Sequence, residues 1–173
     1  TFSASGSGGV ALYFINSASA AVGGSNMYSA SGFAVRLQDS TRINVSSSVL
    51  RVNASGANAI GAYLLRASSS VFNRCDIANV GDAIFIDGQS HWNQVNNSTL
   101  TASAAGFAGM YVFNASSNSA DASVFSSPSG YGVWYANNTG SFTGFNTLSR
   151  STATGLIGVY IQKQWNTRVT ASY

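Results

Sequence analysis

Hydrophobic and polar residues alternate in seven short runs along this chain, each about six residues long and rich in β-branched and aromatic types. The runs cover residues 9–14, 32–37, 59–64, 81–86, 107–112, 130–135 and 156–161. Alternation with period two predicts β-strands that bury one set of side chains. The inward set is uniformly apolar: Leu12/Phe14, Val35/Leu37, Ala62/Leu64, Ile84/Ile86, Met110/Val112, Val133/Tyr135 and Val159/Ile161. The intervening set begins with a small residue (Ala11, Ala34, Gly61, Ala83, Gly109, Gly132, Gly158) and continues with Tyr13, Arg36, Tyr63, Phe85, Tyr111, Trp134 and Tyr160. Arg36 shares that column, and Gln38, Asp87 and Gln162 continue it, so the whole set is expected to face outward.

The last residues of the runs fall at 14, 37, 64, 86, 112, 135 and 161, a period of 22–27 residues. A fixed period of that size marks a solenoid, in which one supersecondary unit is stacked on its own copies. A second apolar column, Met27, Leu50, Ile77, Leu100, Phe125, Leu148 and Tyr173, follows the strand ends by 12–14 residues. On this spacing the length variation falls in the return segments, short at 28–31, 78–80 and 126–129 and long at 51–58, 101–106 and 149–155. Cys75 falls in a column of small residues with Ser25, Ser48, Ser98 and Ser123, which places the lone thiol in the core.

Short strands with Gly, Ser and Asn corners and no helical pattern between them resemble the right-handed parallel β-helix, the architecture of the pectin-lyase-like superfamily. The expected fold is therefore all-β: a single-stranded right-handed β-solenoid of about seven rungs without evident caps, one domain over residues 1–173, as a mature subunit or an excerpt of a longer repeat protein. Seven rungs at the strand spacing make a rod about 34 Å long. The resemblance also implies a polar ladder, for which Asn73, Asn96 and Asp121 are the counterparts, broken at Gly144. Bare terminal rungs would offer unpaired backbone to further turns or to neighbouring subunits.

Charged residues are 8% of the chain, with a net charge of +3 spread over scattered arginines. Without basic clusters a nucleic-acid partner is not expected. The longest apolar run, Val10–Ile15, is too short to span a bilayer, which takes about 20 residues. Six of the seven rungs carry an outward ring, so Tyr13, Tyr63, Phe85, Tyr111, Trp134 and Tyr160 form an apolar strip. Monomeric proteins rarely leave such a strip bare. The strip suits lateral contact with copies of the same chain, cover by the chain itself, or stacking against surface glycans.

Catalytic groups are few: five aspartates and His91. Gly81-Asp82-Ala83-Ile84 is similar to the Gly-Asp-Asp motif of family 28 polygalacturonases, but Ala83 stands where that family has its second carboxylate. No Gly-His-Gly or Arg-Ile-Lys segment accompanies it. Hydrolysis of that type needs two carboxyl groups, which leaves Asp82 as a residue that opens a strand. Asp39, Arg66 and Asp87, at successive strand exits, form the weak catalytic candidate; stacked, Arg66 would lie between the two carboxylates, reminiscent of lyases with an arginine base. An ordinary surface ion-pair ladder has the same pattern. No cofactor or metal is expected, since no Cys/His ligand spacing or phosphate loop occurs. Sequons at Asn44, Asn53, Asn96, Asn97, Asn114 and Asn137 are compatible with glycosylation. These features together predict an extracellular or cell-surface structural or adhesive element that self-associates end to end and laterally, with a polysaccharide-binding or polysaccharide-degrading β-helix as the alternative.

Overall fold

The structure, a computed structural model, describes residues 1–54, 59–138 and 144–173. It is a right-handed parallel β-helix with no helical segment among these residues. Each turn visits three faces. The first carries strands Val10–Ile15, Phe33–Gln38, Ile60–Leu65, Ile84–Asp87 and Ala108–Phe113, continued by the later parts of Val124–Ala136 and Thr152–Gln162. The second carries Ala18–Gly23, Thr41–Ser46, Val71–Asn73, Gln94–Asn96, Ser119–Asp121, Thr147–Ser149 and Arg168–Thr170, a seven-stranded parallel sheet. The third carries Phe2–Ala4, Asn26–Ser29, Val49–Val52, Asp76–Asn79 and Thr99–Ala102, continued by the early parts of the two long strands. Seven stacked strands leave six steps, so the chain makes about six turns rather than seven.

Register follows the alternation. Phe14 lies beside Leu37, then Leu64, Ile86, Val112, Tyr135 and Ile161 in unbroken order. Leu37, Leu64, Ile86 and Val112 have essentially no exposure, and with Ile43, Val45, Phe72, Leu50, Ile77 and Leu100 they fill the space between the faces. A slip of one residue would turn that whole set to solvent, so burial of one face holds the register.

The corners are built by single residues with left-handed backbone. One column, Asn16, Asp39, Arg66, Gly88, Asn114 and Lys163, leaves the first face at φ of 49–55°. A second, Ser19, Arg42, Ser69, Trp92, Ser117, Phe145 and Asn166, enters the second face, and a third, Gly24, Ser47, Arg74, Asn97, Ala122, Arg150 and Ala171, leaves it. Behind the third column comes the small inward row: the Cys75, Ser98 and Ser123 amides donate to the hydroxyls of Ser98, Ser123 and Ser151 at 3.0–3.1 Å. Cys75 itself is buried, and burial pushes its thiol pKa up.

Four expectations are corrected. Leu148 belongs to the second face, beside Ala120, and the residue stacked on Phe125 is Ala153. The extra length in the sixth turn therefore lies between the first and second faces, and the last two returns run straight through as the long strands 124–136 and 152–162, with a register shift between Ser127 and Tyr131. Part of the long return 51–58 lies outside the described residues. The small column also points inward: Ala34 and Ala83 have no exposure, and a Cβ on Gly61 would lie 2.4 Å from Ile77 Cγ2 and 2.5 Å from the Ala83 carbonyl. Small residues are required there because the third face closes directly on them.

The polar ladder also lies elsewhere. Asn93, Asn118 and Asn146 are at most 3% exposed, one behind another, and each main-chain amide donates to the next side-chain oxygen: Ser70 to Asn93 at 3.0 Å, Asn93 to Asn118 at 3.0 Å, Asn118 to Asn146 at 2.9 Å. The three side-chain amides donate to the carbonyls of Ala67, Ser90 and Ala115, among others. Buried amide groups are satisfied along the axis by repetition. Asn73, Asn96 and Asp121 do stack, but on the half-exposed side of the same sheet, and Ser149, not Gly144, continues their row.

Candidate functional site

The first face presents the aromatic column in register: Tyr13, Arg36, Tyr63, Phe85, Tyr111, Trp134 and Tyr160 are cross-strand neighbours in that order. The rings stack on one another. Phe85 and Tyr111 lie 4.7 Å apart at 13°, Tyr111 and Trp134 4.5 Å at 23°, and Phe33 joins Tyr63 at 5.2 Å and 18°. Tyr63 and Phe85 are 5.4 Å apart, while Tyr131 fills in between Trp134, at 4.6 Å, and Tyr160, at 5.4 Å. Where the second rung has no ring in the column, the flat guanidinium of Arg36 takes its place, 5.2 Å from the Tyr13 ring and 5.6 Å from that of Tyr63. Its Nη2 and the Tyr13 hydroxyl both donate to Gln38 Oε1 at 2.7 Å.

Each stacked pair adds about 0.5–1.5 kcal/mol beyond area burial. Stacking also decides what the strip can offer. Ring faces are covered by neighbouring rings, so solvent meets mainly ring edges. The rings from Tyr63 to Tyr160 are only partly exposed, and Tyr13, at 42%, is the most open.

Along the rim, the acidic candidates separate. Asp39 accepts two hydrogen bonds from Arg66, Nε at 2.5 Å and Nη2 at 2.9 Å, and this pairing holds the Asp39 carboxyl below its ordinary range. Asp87 does not complete the stack, because Gly88 occupies the position above Arg66 and Asp87 pairs with Leu65 one residue earlier. Its Oδ2 accepts instead from the Tyr63 hydroxyl at 3.1 Å; burial, reinforced by that charge, pushes the Tyr63 phenol up to about 12. Tyr111 is likewise pushed up to about 12, by burial first and then by Asp82 and Asp87.

Asp82 lies buried two residues before the strand Ile84–Asp87, its Oδ1 accepting from the Ala108 amide at 2.7 Å, and burial raises its pKa to about 6. Ala83 beside it is fully buried, so no second carboxyl faces Asp82 from that position. Among the described residues no group of three or more His, Cys, Asp and Glu could hold a metal ion, and no helix is long and apolar enough to cross a membrane.

The sequons differ in access. Asn44, Asn53 and Asn97 are exposed, Asn96 and Asn114 are half-buried, and Asn137 is 5% exposed. The hydroxyl residues of the Asn53 and Asn137 sequons lie outside the described residues.

A second pair of aromatic residues stands apart from the strip, at the corners that enter the second face. Trp92 and Phe145, 63% and 61% exposed, occupy left-handed corner positions immediately before the buried ladder residues Asn93 and Asn146. An aromatic-Asn pair at each point is the signal in the sequence.

Comparison with known proteins agrees with this architecture. The crystal structure of the tailspike protein gp49 from Pseudomonas phage LKA1 superposes with a TM-score of 0.62 over 92% of this chain and 29% of that chain, at 12% identity, a likeness of fold alone. The chain thus spans less than a third of that protein's length. No curated protein matches the sequence. The family profile described as the right handed beta helix region matches residues 1–148 and again 60–172, together the whole of the repeat. With register, handedness and profile in agreement, the chain belongs to the right-handed β-helix family.

Proposed function

We propose that the chain is a structural segment of an extracellular or surface-exposed protein, a stiff β-helical shaft whose first face packs laterally against further copies of itself. The carrying observation is the stacked strip from Tyr13 to Tyr160: aromatic, poor in charge and only partly covered by its own chain. Interface cores have that composition. The likeness to a phage tailspike supports an external, elongated setting. The alternative, a polysaccharide-active β-helix working through Asp39, Arg66 and Asp87, is less well supported, because Arg66 is committed to Asp39 while Asp87 is engaged by Tyr63.

Sedimentation and electron microscopy of the purified chain test the reading. Wild type is expected to form dimers or larger lateral assemblies at micromolar concentration, and Tyr63→Lys/Tyr111→Lys to sediment as a folded monomer. A wild type that stays monomeric throughout would overturn it. So would polysaccharide cleavage lost in folded Asp39→Asn/Arg66→Gln/Asp87→Asn.

A further inference from the structure

The rings of the first face form an unbroken path from Tyr63 to Tyr160. Centroids of Tyr63 and Phe85, Phe85 and Tyr111, Tyr111 and Trp134, Trp134 and Tyr131, and Tyr131 and Tyr160 lie 5.4, 4.7, 4.5, 4.6 and 5.4 Å apart. Apart from Phe85, every member is a phenol or an indole, the aromatic side chains most readily oxidised by one electron. Stacking by itself asks only for flat rings. Oxidisability is an added property.

The two ends of this path differ in where a proton can go. An oxidised phenol holds its radical only after losing the hydroxyl proton, and the Tyr63 hydroxyl donates to Asp87 Oδ2 at 3.1 Å. Among the described rings of the column, Tyr63 is the one whose hydroxyl meets a carboxylate; that of Tyr13 donates to the Gln38 amide oxygen. An oxidised indole loses its proton from Nε1, but Trp134 Nε1 is buried without a hydrogen-bond partner. A buried orphan donor is unfavourable to folding. Here it has a consequence: the oxidised indole keeps its proton and stays a strong oxidant. The Tyr111 ring, 4.5 Å away at 23°, shares its charge. From Tyr111 to Tyr63 is two turns, about 10 Å at the strand spacing, with Phe85 filling the gap. Beyond that, the Arg36 guanidinium lies 5.6 Å from the Tyr63 ring, and its fixed positive charge opposes a cation radical moving further.

We propose that the stack is a relay for single oxidising equivalents, which enter at Trp134 from a one-electron oxidant, such as an oxidised metal complex or an oxygen-centred radical, and come to rest on Tyr63. The oxidant gains one electron from Trp134. Tyr63 then supplies an electron to the indole across Phe85 and Tyr111, while its hydroxyl O–H bond breaks and a new O–H bond forms at Asp87 Oδ2. The net products are the reduced oxidant, a neutral Tyr63 phenoxyl radical and a protonated Asp87, with Trp134 restored. Tyr63 is partly exposed, so a small reductant such as a thiol or ascorbate can return the electron there, and Asp87 the proton. The relay lies within one chain and holds whether or not copies pack on the strip.

Flash photolysis of the intact chain tests it. A ruthenium(II) tris-bipyridine is attached through Leu156→Cys, a position 79% exposed and adjacent to Ile157, the cross-strand neighbour of Tyr131. Cys75 is buried and stays unlabelled. With hexaammineruthenium(III) as quencher, an indole radical is expected to decay as a long-lived tyrosyl radical grows, more slowly in heavy water. Tyr63→Phe and Trp134→Phe should each abolish the long-lived tyrosyl radical, and Asp87→Asn should cut its yield and remove the isotope effect. Should Trp134→Phe fail to fold, Tyr63→Phe and Asp87→Asn, which each change a single partly exposed polar group, carry the test. No tyrosyl radical in the labelled protein, an undiminished yield in folded Tyr63→Phe or Trp134→Phe, or formation unaffected by Asp87→Asn would each overturn the proposal.

Discussion

Two rows of polar side chains run along the same sheet. Asn93, Asn118 and Asn146 are sealed in the core, each side-chain oxygen accepting from the preceding turn while the side-chain amides of Asn93 and Asn118 donate to the oxygen on the next. Asn73, Asn96 and Asp121, only three residues further on, are half-buried; Asn97 Nδ2 reaches Asn73 Oδ1 at 3.2 Å, Asn96 turns to Gln94, and Asp121 is held by Arg150. Residue type is nearly the same in both rows. What differs is the side of the sheet: away from water a missing partner costs the full desolvation of the group left behind, while near water it costs little.

The largest effect should come from Asn118→Ala. It removes the acceptor of the Asn93 amide and the donor to the Ser90 carbonyl, and at roughly 1–3 kcal/mol per orphaned buried group the loss should be about 3 kcal/mol by urea unfolding. A loss below about 1 kcal/mol would show that the inner row is not a stabilising ladder. Gly61→Ala is expected to cost about 2 kcal/mol, because the new Cβ must displace Ile77 Cγ2 and the Ala83 carbonyl.

Asp82 sharpens the comparison as a buried polar group outside any ladder. Its carboxyl is raised from 3.8 to about 6, so folding favours the protonated form. The resulting stabilisation is whole below about pH 4 and lost as pH rises to about 6, a swing of about 3 kcal/mol. Asp82→Asn should abolish that swing and leave the protein more stable than wild type at pH 7; an unchanged slope of stability between pH 4 and 6 would count against it.

On the outer row the sign reverses. Asp121 is held at about 2, first by its hydrogen bonds from Arg150 and then by Ser149, so its contribution is present above about pH 4 and lost as pH falls through about 2. Arg150→Gln should flatten thermal stability across that acid window. Asn96→Ala, the mildest change, should stay within about 0.5 kcal/mol of wild type.

Much of this was legible before any fold was built. The seven alternating runs predict every first-face neighbour from Phe14 to Ile161, and the outward rings are where period-two alternation places them. The misplaced features share a cause. Residue spacing places Leu148 in the column of Phe125, but an insertion in the sixth turn moves it to the second face; apolar character alone does not distinguish two inward columns. Gly61 and Gly109 alternate with the inward residues yet are buried too, because another face closes on them, and alternation within one strand carries no information about that face. The trio Asp39, Arg66 and Asp87 came apart over the one residue by which Asp87 precedes the corner position of Gly88.

Local periodicity was enough for the strand set, its register and the solenoid, because a buried face admits only one alignment of a two-residue repeat. Tertiary structure alone decided which Asn row went dry, which small residues lay against another face and which aromatics covered one another. Those outcomes depend on how three faces meet at their corners, and that geometry arises only when successive turns are stacked.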